Sequence, residues 1–90
     1  MPYNYKTSKS LDKTLCKLLN KNKPLYEQVL KKINEVIHSD DIEHYKNLRY
    51  NLSDKKRVHI GHFVLVFQYN KILNLIEFDD FDHHDNIYKK

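Results

Sequence analysis

The chain has 90 residues, enough for one domain with a single modest core. Its hydrophobic fraction of 40%, with one glycine and two prolines, excludes a disordered chain. The formal net charge is +4, and the positive excess lies in residues 1–57, most densely in residues 46–57. A basic stretch of this kind favours a polyanionic partner, although a solvated lysine-rich surface would explain the charge equally well.

Cysteine content and hydropathy indicate the compartment. Cys16 is the only cysteine, so no disulfide can form within the chain, which is typical of a reducing environment. No apolar run is long enough to span a membrane, and the polar start "MPYNYKTSKS" does not read as a signal peptide. We therefore expect a cytoplasmic protein without a membrane partner.

The first half of the chain predicts a strand followed by two helices. Residues 2–7 alternate weakly and predict a strand. Leucines at helical spacing predict a helix over residues 11–19, with Ser10 as a candidate cap. Pro24 starts a second helix, whose apolar stripe runs over residues 26–37. The short polar segment between the two stripes predicts an antiparallel helix pair.

The second half predicts strands joined by short turns. Residues 38–54 form a long connection, with a short strand near residues 45–52. Gly61 and residues 69–71 are turn signals between apolar runs, which predicts an antiparallel meander. Its strands are expected at residues 55–60, 62–69 and 72–78. The remaining tail, "FDDFDHHDNIYKK", is too polar and too short to form an independent unit.

These elements predict an α+β fold, with residues 1–90 as a single domain. A small antiparallel sheet, made of the N-terminal strand and the three-stranded meander, carries the antiparallel helix pair packed on one face. In "RVHI" (residues 57–60), Val58 and Ile60 point to the helices, so Arg57 and His59 must lie on the opposite face. In so short a chain we expect that face to be open or to form a groove.

Histidines are the side chains best suited to catalysis here. The chain has six, and four of them come late: His59, His62, His83 and His84. Cleavage of RNA without a metal needs a base for the 2′-OH, an acid for the leaving 5′ oxygen and a cation for the phosphate. Arg57 can hold a phosphate bidentately, which a lysine cannot. Taken alone, a strand histidine such as His59 is more often a solvated or hydrogen-bonded structural residue.

Metal ligands are not expected among these histidines. The pair His59-x-x-His62 has a ligand-like spacing, but it crosses the turn at Gly61 and has no cysteine or carboxylate partner. His83 and His84 would point apart if both lay in a strand. The sequence therefore predicts no metal and no cofactor.

The order of elements resembles the RelE/ParE superfamily of toxins over nearly the whole chain. The best marks are "YKNL" (45–48), "RVHI" (57–60) before an apolar strand, and "HDNIY" (84–88). The chain is most similar to the RelE and YafQ mRNA interferases of type II toxin–antitoxin modules. The resemblance implies a toxin that cleaves mRNA in the ribosomal A site. It also implies a RelB-like antitoxin that neutralises the toxin and carries the complex to operator DNA.

The resemblance and the charges together assign the site residues. The catalytic set is Arg57 for the phosphate charge, His59 and His84 as base and acid in either order, and Tyr88 to stack on or orient the nucleotide. RNA backbone contacts are expected from Lys46, Arg49, Lys55 and Lys56, with His62 and His83 as further RNA-contacting candidates. RelE toxins place arginines where this chain has Val64 and Asp82. A histidine-based, YafQ-like scheme therefore fits better than the arginine-based chemistry of RelE.

Two other functions stay open at this point. A ParE-like toxin of the same fold would inhibit DNA gyrase and cleave no RNA, but the four late histidines count against it. A non-enzymatic module could use the basic face to bind an acidic partner.

Overall fold

Strands and helices follow one another in the predicted order as far as the last strand of the meander, and a short helix that the sequence did not predict comes after it. The structure, a computed structural model, describes residues 3–45 and 55–88, apart from the side chains of His44 and Tyr88. The predicted strand near residues 45–52 falls almost entirely outside these ranges. The described residues form the strands β1 (Asn4–Thr7), β2 (Lys56–Ile60), β3 (Phe63–Asn70) and β4 (Leu75–His83), the helices α1 (Lys9–Lys21), α2 (Lys23–Ile37) and α3 (His84–Tyr88), and a 3-10 turn (Ile42–His44).

Side-chain caps fix the ends of the helix pair. The Ser8 hydroxyl accepts a hydrogen bond from the Leu11 amide at 3.0 Å and caps α1. Ser8, not Ser10, is therefore the cap, because α1 already begins at Lys9. Asn22 ends α1 and caps α2 through its bond from the Leu25 amide. No helix in the described part of the chain is both long enough and apolar enough to cross a membrane.

The sheet has the strand order β1-β4-β3-β2. Strands β2, β3 and β4 form the predicted antiparallel meander. Strand β1 pairs with β4 in parallel, which corrects the prediction of a fully antiparallel sheet. The alternation of residues 2–7 predicts a strand but not its neighbour in the sheet. The neighbour of β1 depends on where the chain re-enters the sheet after the two helices.

The last hairpin differs from its prediction at both ends. Strand β4 begins at Leu75, not at residue 72, because residues 71–74 form the turn and Asn74 adopts a left-handed φ of 51°. It then continues to His83, through the polar segment that was expected to be tail. A bulge places Asp79 without a partner on β3 and keeps Phe78 and Phe81 on one face of the sheet.

The main core lies between the helix pair and one face of the sheet. Phe67 and Phe78 are fully buried there, with ring centroids 5.7 Å apart. The buried members from the helices and the 3-10 turn are Leu11, Val29, Ile33, Val36, Ile37 and Ile42, and those from the sheet are Ile60, Leu65, Phe67, Ile76, Phe78 and Phe81.

The opposite face carries a second, smaller core. Val64 and Val66 of β3 are buried under Ile87 of α3. Arg57 and His59 lie beside this cluster, since they pair with Val66 and Val64 across the β2–β3 ladder. The face that was expected to be open is therefore partly covered, because the polar tail folds back as α3 and inserts Ile87.

Candidate active site

Arg57 and His59 form a hydrogen-bonded pair on the second face of the sheet. Both side chains project from β2, away from the main core, as the alternation predicts. Nη1 of Arg57 lies 2.6 Å from Nε2 of His59. A guanidinium can only donate, so Nε2 accepts and the ring proton lies on Nδ1. The Arg57 Nε is buried and has no hydrogen-bond partner among the described residues.

The surroundings of His59 favour its neutral form. Burial lowers the pKa of His59 below its ordinary value of 6.5, and the positive charge of Arg57 and the proximity of His84 lower the pKa further. The neutral ring at neutral pH is the form that can accept a proton. The structure thus places a potential general base next to a fixed cation.

The other late histidines meet at the junction of β4 and α3. The amide of His84 donates to the carbonyl of His62 at 3.0 Å, which ties this junction to the β2–β3 turn. The rings of His83 and His84 are 4.7 Å apart, and the ring of His62 stacks on His83 at 6.2 Å. His83 and His84 were expected to point apart. They lie together because the strand ends at His83 and a helix begins at His84.

Asp82 and Asp85 support this junction, and sequence reasoning gave neither of them a supporting role. Oδ1 of Asp82 accepts from the His83 amide at 2.8 Å and from the Asn86 side chain at 3.1 Å, and so it anchors the start of α3. The Asp85 carboxylate lies 2.9 Å from Nδ1 of His84 and 3.6 Å from Nδ1 of His83. In the sequence, Asp85 directly follows two histidines, which is a possible sign of a cluster. Whether the three side chains meet depends on the change from strand to helix at His84, which the sequence did not predict.

Two of the predicted RNA-binding lysines, Lys55 and Lys56, have protein partners. Nζ of Lys55 pairs with the Asp79 carboxylate at 2.9 Å, and Nζ of Lys56 donates to the Tyr45 carbonyl at 3.3 Å. Lys46, Arg49 and the side chain of Tyr88 lie outside the described residues. The RNA contacts of these five residues stay predictions.

An open cleft of about 310 Å³ adjoins His59 on the side of α2. Gln28, Lys31, Lys32 and Glu35 of α2 line it, together with His59, Ile60 and Gly61. Lys32 is paired with Glu35 at 2.9 Å. A larger cleft of about 490 Å³ lies at the β3–β4 hairpin, but none of the four late histidines lines it. Of the four late histidines, His59 lines the smaller cleft, which therefore adjoins the Arg57–His59 pair on the side of α2.

Comparisons with known proteins agree with this fold. No protein-family model matches the chain. A Methanocaldococcus jannaschii protein named as toxin RelE4 is 48% identical over 89 residues, which cover 98% of this chain and 93% of the relative.

Two Escherichia coli structures share the fold. A RelE toxin with two arginines replaced by alanine, in the free state, matches with a TM-score of 0.74 and 24% identity, over 99% of this chain and 93% of that one. A chain of the intact RelBE toxin–antitoxin complex matches with a TM-score of 0.71 and 22% identity, over 90% of this chain and 95% of that one.

The alignment with the M. jannaschii protein spans nearly the whole of both chains, so it takes in both helices of the pair, the sheet and the β4–α3 junction. The two E. coli structures have the same architecture. The chain therefore belongs to the RelE family of toxins.

Proposed function

We propose that this toxin is a ribosome-dependent endoribonuclease that cleaves mRNA in the A site by attack of a 2′-OH on the adjacent phosphorus. The observation that carries the proposal is the Arg57–His59 pair, a neutral imidazole held against a guanidinium on an outward face. A base and a phosphate-binding cation are the two groups that this reaction needs on one side of the scissile bond.

In the free protein the lone pair of His59 Nε2 is occupied by Arg57. The base is therefore not yet available. A bound phosphate is the better acceptor for the guanidinium, because a hydrogen bond between two ionised groups is stronger than one to a neutral ring. When Arg57 turns to the phosphate, Nε2 becomes free to take the 2′-OH proton. Substrate binding itself would activate the base.

The acid role then falls to His84. It lies close enough to affect the pKa of His59, so both rings belong to one electrostatic site. As the 2′ oxygen bonds to phosphorus, the bond to the 5′ oxygen breaks, and a protonated His84 gives its proton to that oxygen. The product carries a 2′,3′-cyclic phosphate. Tyr88 stacks on the nucleotide, while Lys46, Arg49, Lys55, Lys56, His62 and His83 contact the RNA.

A cognate antitoxin completes the proposed system. The matched E. coli structure is a toxin–antitoxin complex of the same fold. We infer a RelB-like partner for this chain in a type II module, with operator DNA bound only through the antitoxin. Such a module acts on ribosomes and mRNA in the cytoplasm.

The decisive experiment is in vitro translation with the purified protein, with mRNA 5′ ends mapped by primer extension. We expect new ends within translated codons. His84→Ala should reduce cleavage by about 10²–10⁴ without unfolding the chain. The matched control is His38→Ala, since His38 is exposed at the end of α2 and its ring nitrogen bonds only the Asn34 carbonyl at 2.8 Å.

Two results would contradict the proposal. Full cleavage by a folded His84→Ala protein would remove His84 from the reaction. Intact message in a working translation reaction would remove the ribonuclease activity, and a gyrase supercoiling assay would then test the ParE-like alternative.

A further inference from the structure

A compact group of metal-binding side chain types lies at the β4–α3 junction. His83, His84 and Asp85 each offer one ligand atom, and these atoms lie within 4.8 Å of one another, which makes them the candidate metal cluster of the described residues. The Asp85 carboxylate already contacts both imidazoles, at 2.9 and 3.6 Å. All three side chains are open to solvent, with exposed fractions of 39%, 42% and 61%.

The donor set suits a borderline transition metal. Two imidazoles and one carboxylate are typical ligands of Zn²⁺, whereas Mg²⁺ and Ca²⁺ prefer oxygen alone. Bonds of about 2.0–2.2 Å to a tetrahedral ion set neighbouring ligand atoms roughly 3.3–3.6 Å apart. The carboxylate contacts of 2.9 and 3.6 Å lie near this spacing, and the three ligand atoms, now up to 4.8 Å apart, would have to draw closer. Small side-chain rotations, without movement of β4, would bring the three ligands onto one ion.

The backbone holds the group in place. The Asp85 amide bonds the His83 ring at 3.3 Å, and the His84 amide bonds the His62 carbonyl at 3.0 Å. Asp82, anchored at the start of α3, adds negative charge next to the cluster. A cation would therefore meet a largely ordered, acidic junction, and little ordering would be required when it binds.

We propose that His83, His84 and Asp85 bind one Zn²⁺ ion, with a fourth position left to water. The ion is not part of the cleavage reaction. It would occupy His84, which the proposed function uses as the proton donor, so bound zinc would switch the ribonuclease off. This second part rests on the proposed function, whereas zinc binding does not.

The binding test uses the purified full chain and the metal alone. Equilibrium dialysis and calorimetry with ZnCl₂ should give one ion per chain, and Co²⁺ should give the visible absorption of a tetrahedral site. Asp85→Asn and His83→Ala should each weaken zinc binding by at least about tenfold. His38→Ala is the matched control, because it removes an exposed histidine outside the cluster.

Circular dichroism checks that each variant is folded. A wild-type protein that binds no zinc, or folded cluster variants that bind as tightly as His38→Ala, would overturn the site.

Inhibition is measured separately from binding. In the translation assay, saturating ZnCl₂ should suppress cleavage by the wild-type protein, and a chelator should restore it. For Asp85→Asn, the cleavage rate with zinc divided by the cleavage rate without zinc should be closer to one than for the wild-type protein. Equal ratios in both proteins would overturn the inhibitory role and leave the site. A protein that binds zinc but never cleaves RNA would overturn the proposed function while supporting the metal site.

Discussion

At the scale of single residues, Arg57 has two consequences for His59. Burial is the first cause that lowers the pKa of the neighbouring ring, the charge of Arg57 lowers that pKa further, and Nη1 of Arg57 occupies the lone pair of His59 Nε2. In the proposed reaction, the lowered pKa would make His59 the base at neutral pH, and the bond to Nη1 would keep that base idle until a phosphate arrives. A lysine at position 57 could supply the charge but not a planar group for bidentate phosphate binding.

The pH dependence of cleavage tests the effect of Arg57 on His59. Because burial and the charge of Arg57 lower the pKa of His59 in the free protein, the acidic limb of kcat/KM, which reports the free enzyme, should have its midpoint below pH 6.5. Activity is then present above the limb and lost as the pH falls through it. Arg57→Gln should move the midpoint upward while leaving it below 6.5, since burial remains the larger cause.

Arg57→Lys is the control for charge, and its midpoint should stay close to that of the wild-type protein. Identical midpoints for Arg57→Gln and the wild-type protein would show that the Arg57 charge does not set the protonation of His59.

Residue-level partners were the least predictable part of the site. The alternation in "RVHI" placed Arg57 and His59 correctly on the second face. It could not reveal that Nζ of Lys55 meets Asp79, because that contact depends on a bulge in a strand 24 residues later. Nor could it reveal that Lys56, on the other side of the strand, reaches the Tyr45 carbonyl.

At the scale of elements, α3 determines whether the site exists. It is a five-residue helix, too short to be stable alone, and Ile87 is its buried attachment to Val64 and Val66. Helix α3 also positions His84. The stability of this small core and the position of His84, the proposed acid, are therefore coupled.

Replacing Ile87 tests this coupling. Ile87→Ala should lower the free energy of unfolding by about 2–3 kcal/mol, measured by urea denaturation, because it empties a buried position. Cleavage under conditions where the variant is folded should fall as well, since α3 loses its attachment.

Ile72→Ala makes the same chemical change at a side chain that is 94% exposed, and it should alter stability by less than about 0.5 kcal/mol. If Ile87→Ala lost stability but kept full activity, α3 would not position the acid.

The elements with a strong apolar pattern were predicted well. The polar segment that forms the end of β4 and α3 was not predicted to be structured. Helices α1 and α2 and strand β3 carry their own periodic signals. The segment over residues 79–88 alternates aspartates and histidines with few apolar residues, so it read as tail. Its structure comes from long-range contacts: the pairing of β4 with two strands and the packing of Ile87 against Val64 and Val66.

At the scale of the whole molecule, one core joins both helices of the pair to the sheet. Phe67 and Phe78 lie at its centre, and side chains from α1, α2 and the strands β2, β3 and β4 pack around them. We expect unfolding in urea to be a single transition, with far-UV circular dichroism and tyrosine near-UV signals coinciding. Separate midpoints would show that the helix pair unfolds independently of the sheet.

The central place of β4 affects the order in which the chain can fold during synthesis. β1 is made first, but its sheet neighbour is made about seventy residues later, and β3 likewise waits for β4 on one side. His59, on β2, is synthesised before β4, whereas His84 is synthesised after it. In the proposed mechanism, a nascent chain that has left the ribosome as far as β3 would carry His59 but not His84, so the toxin would be inactive until β4 and α3 are made.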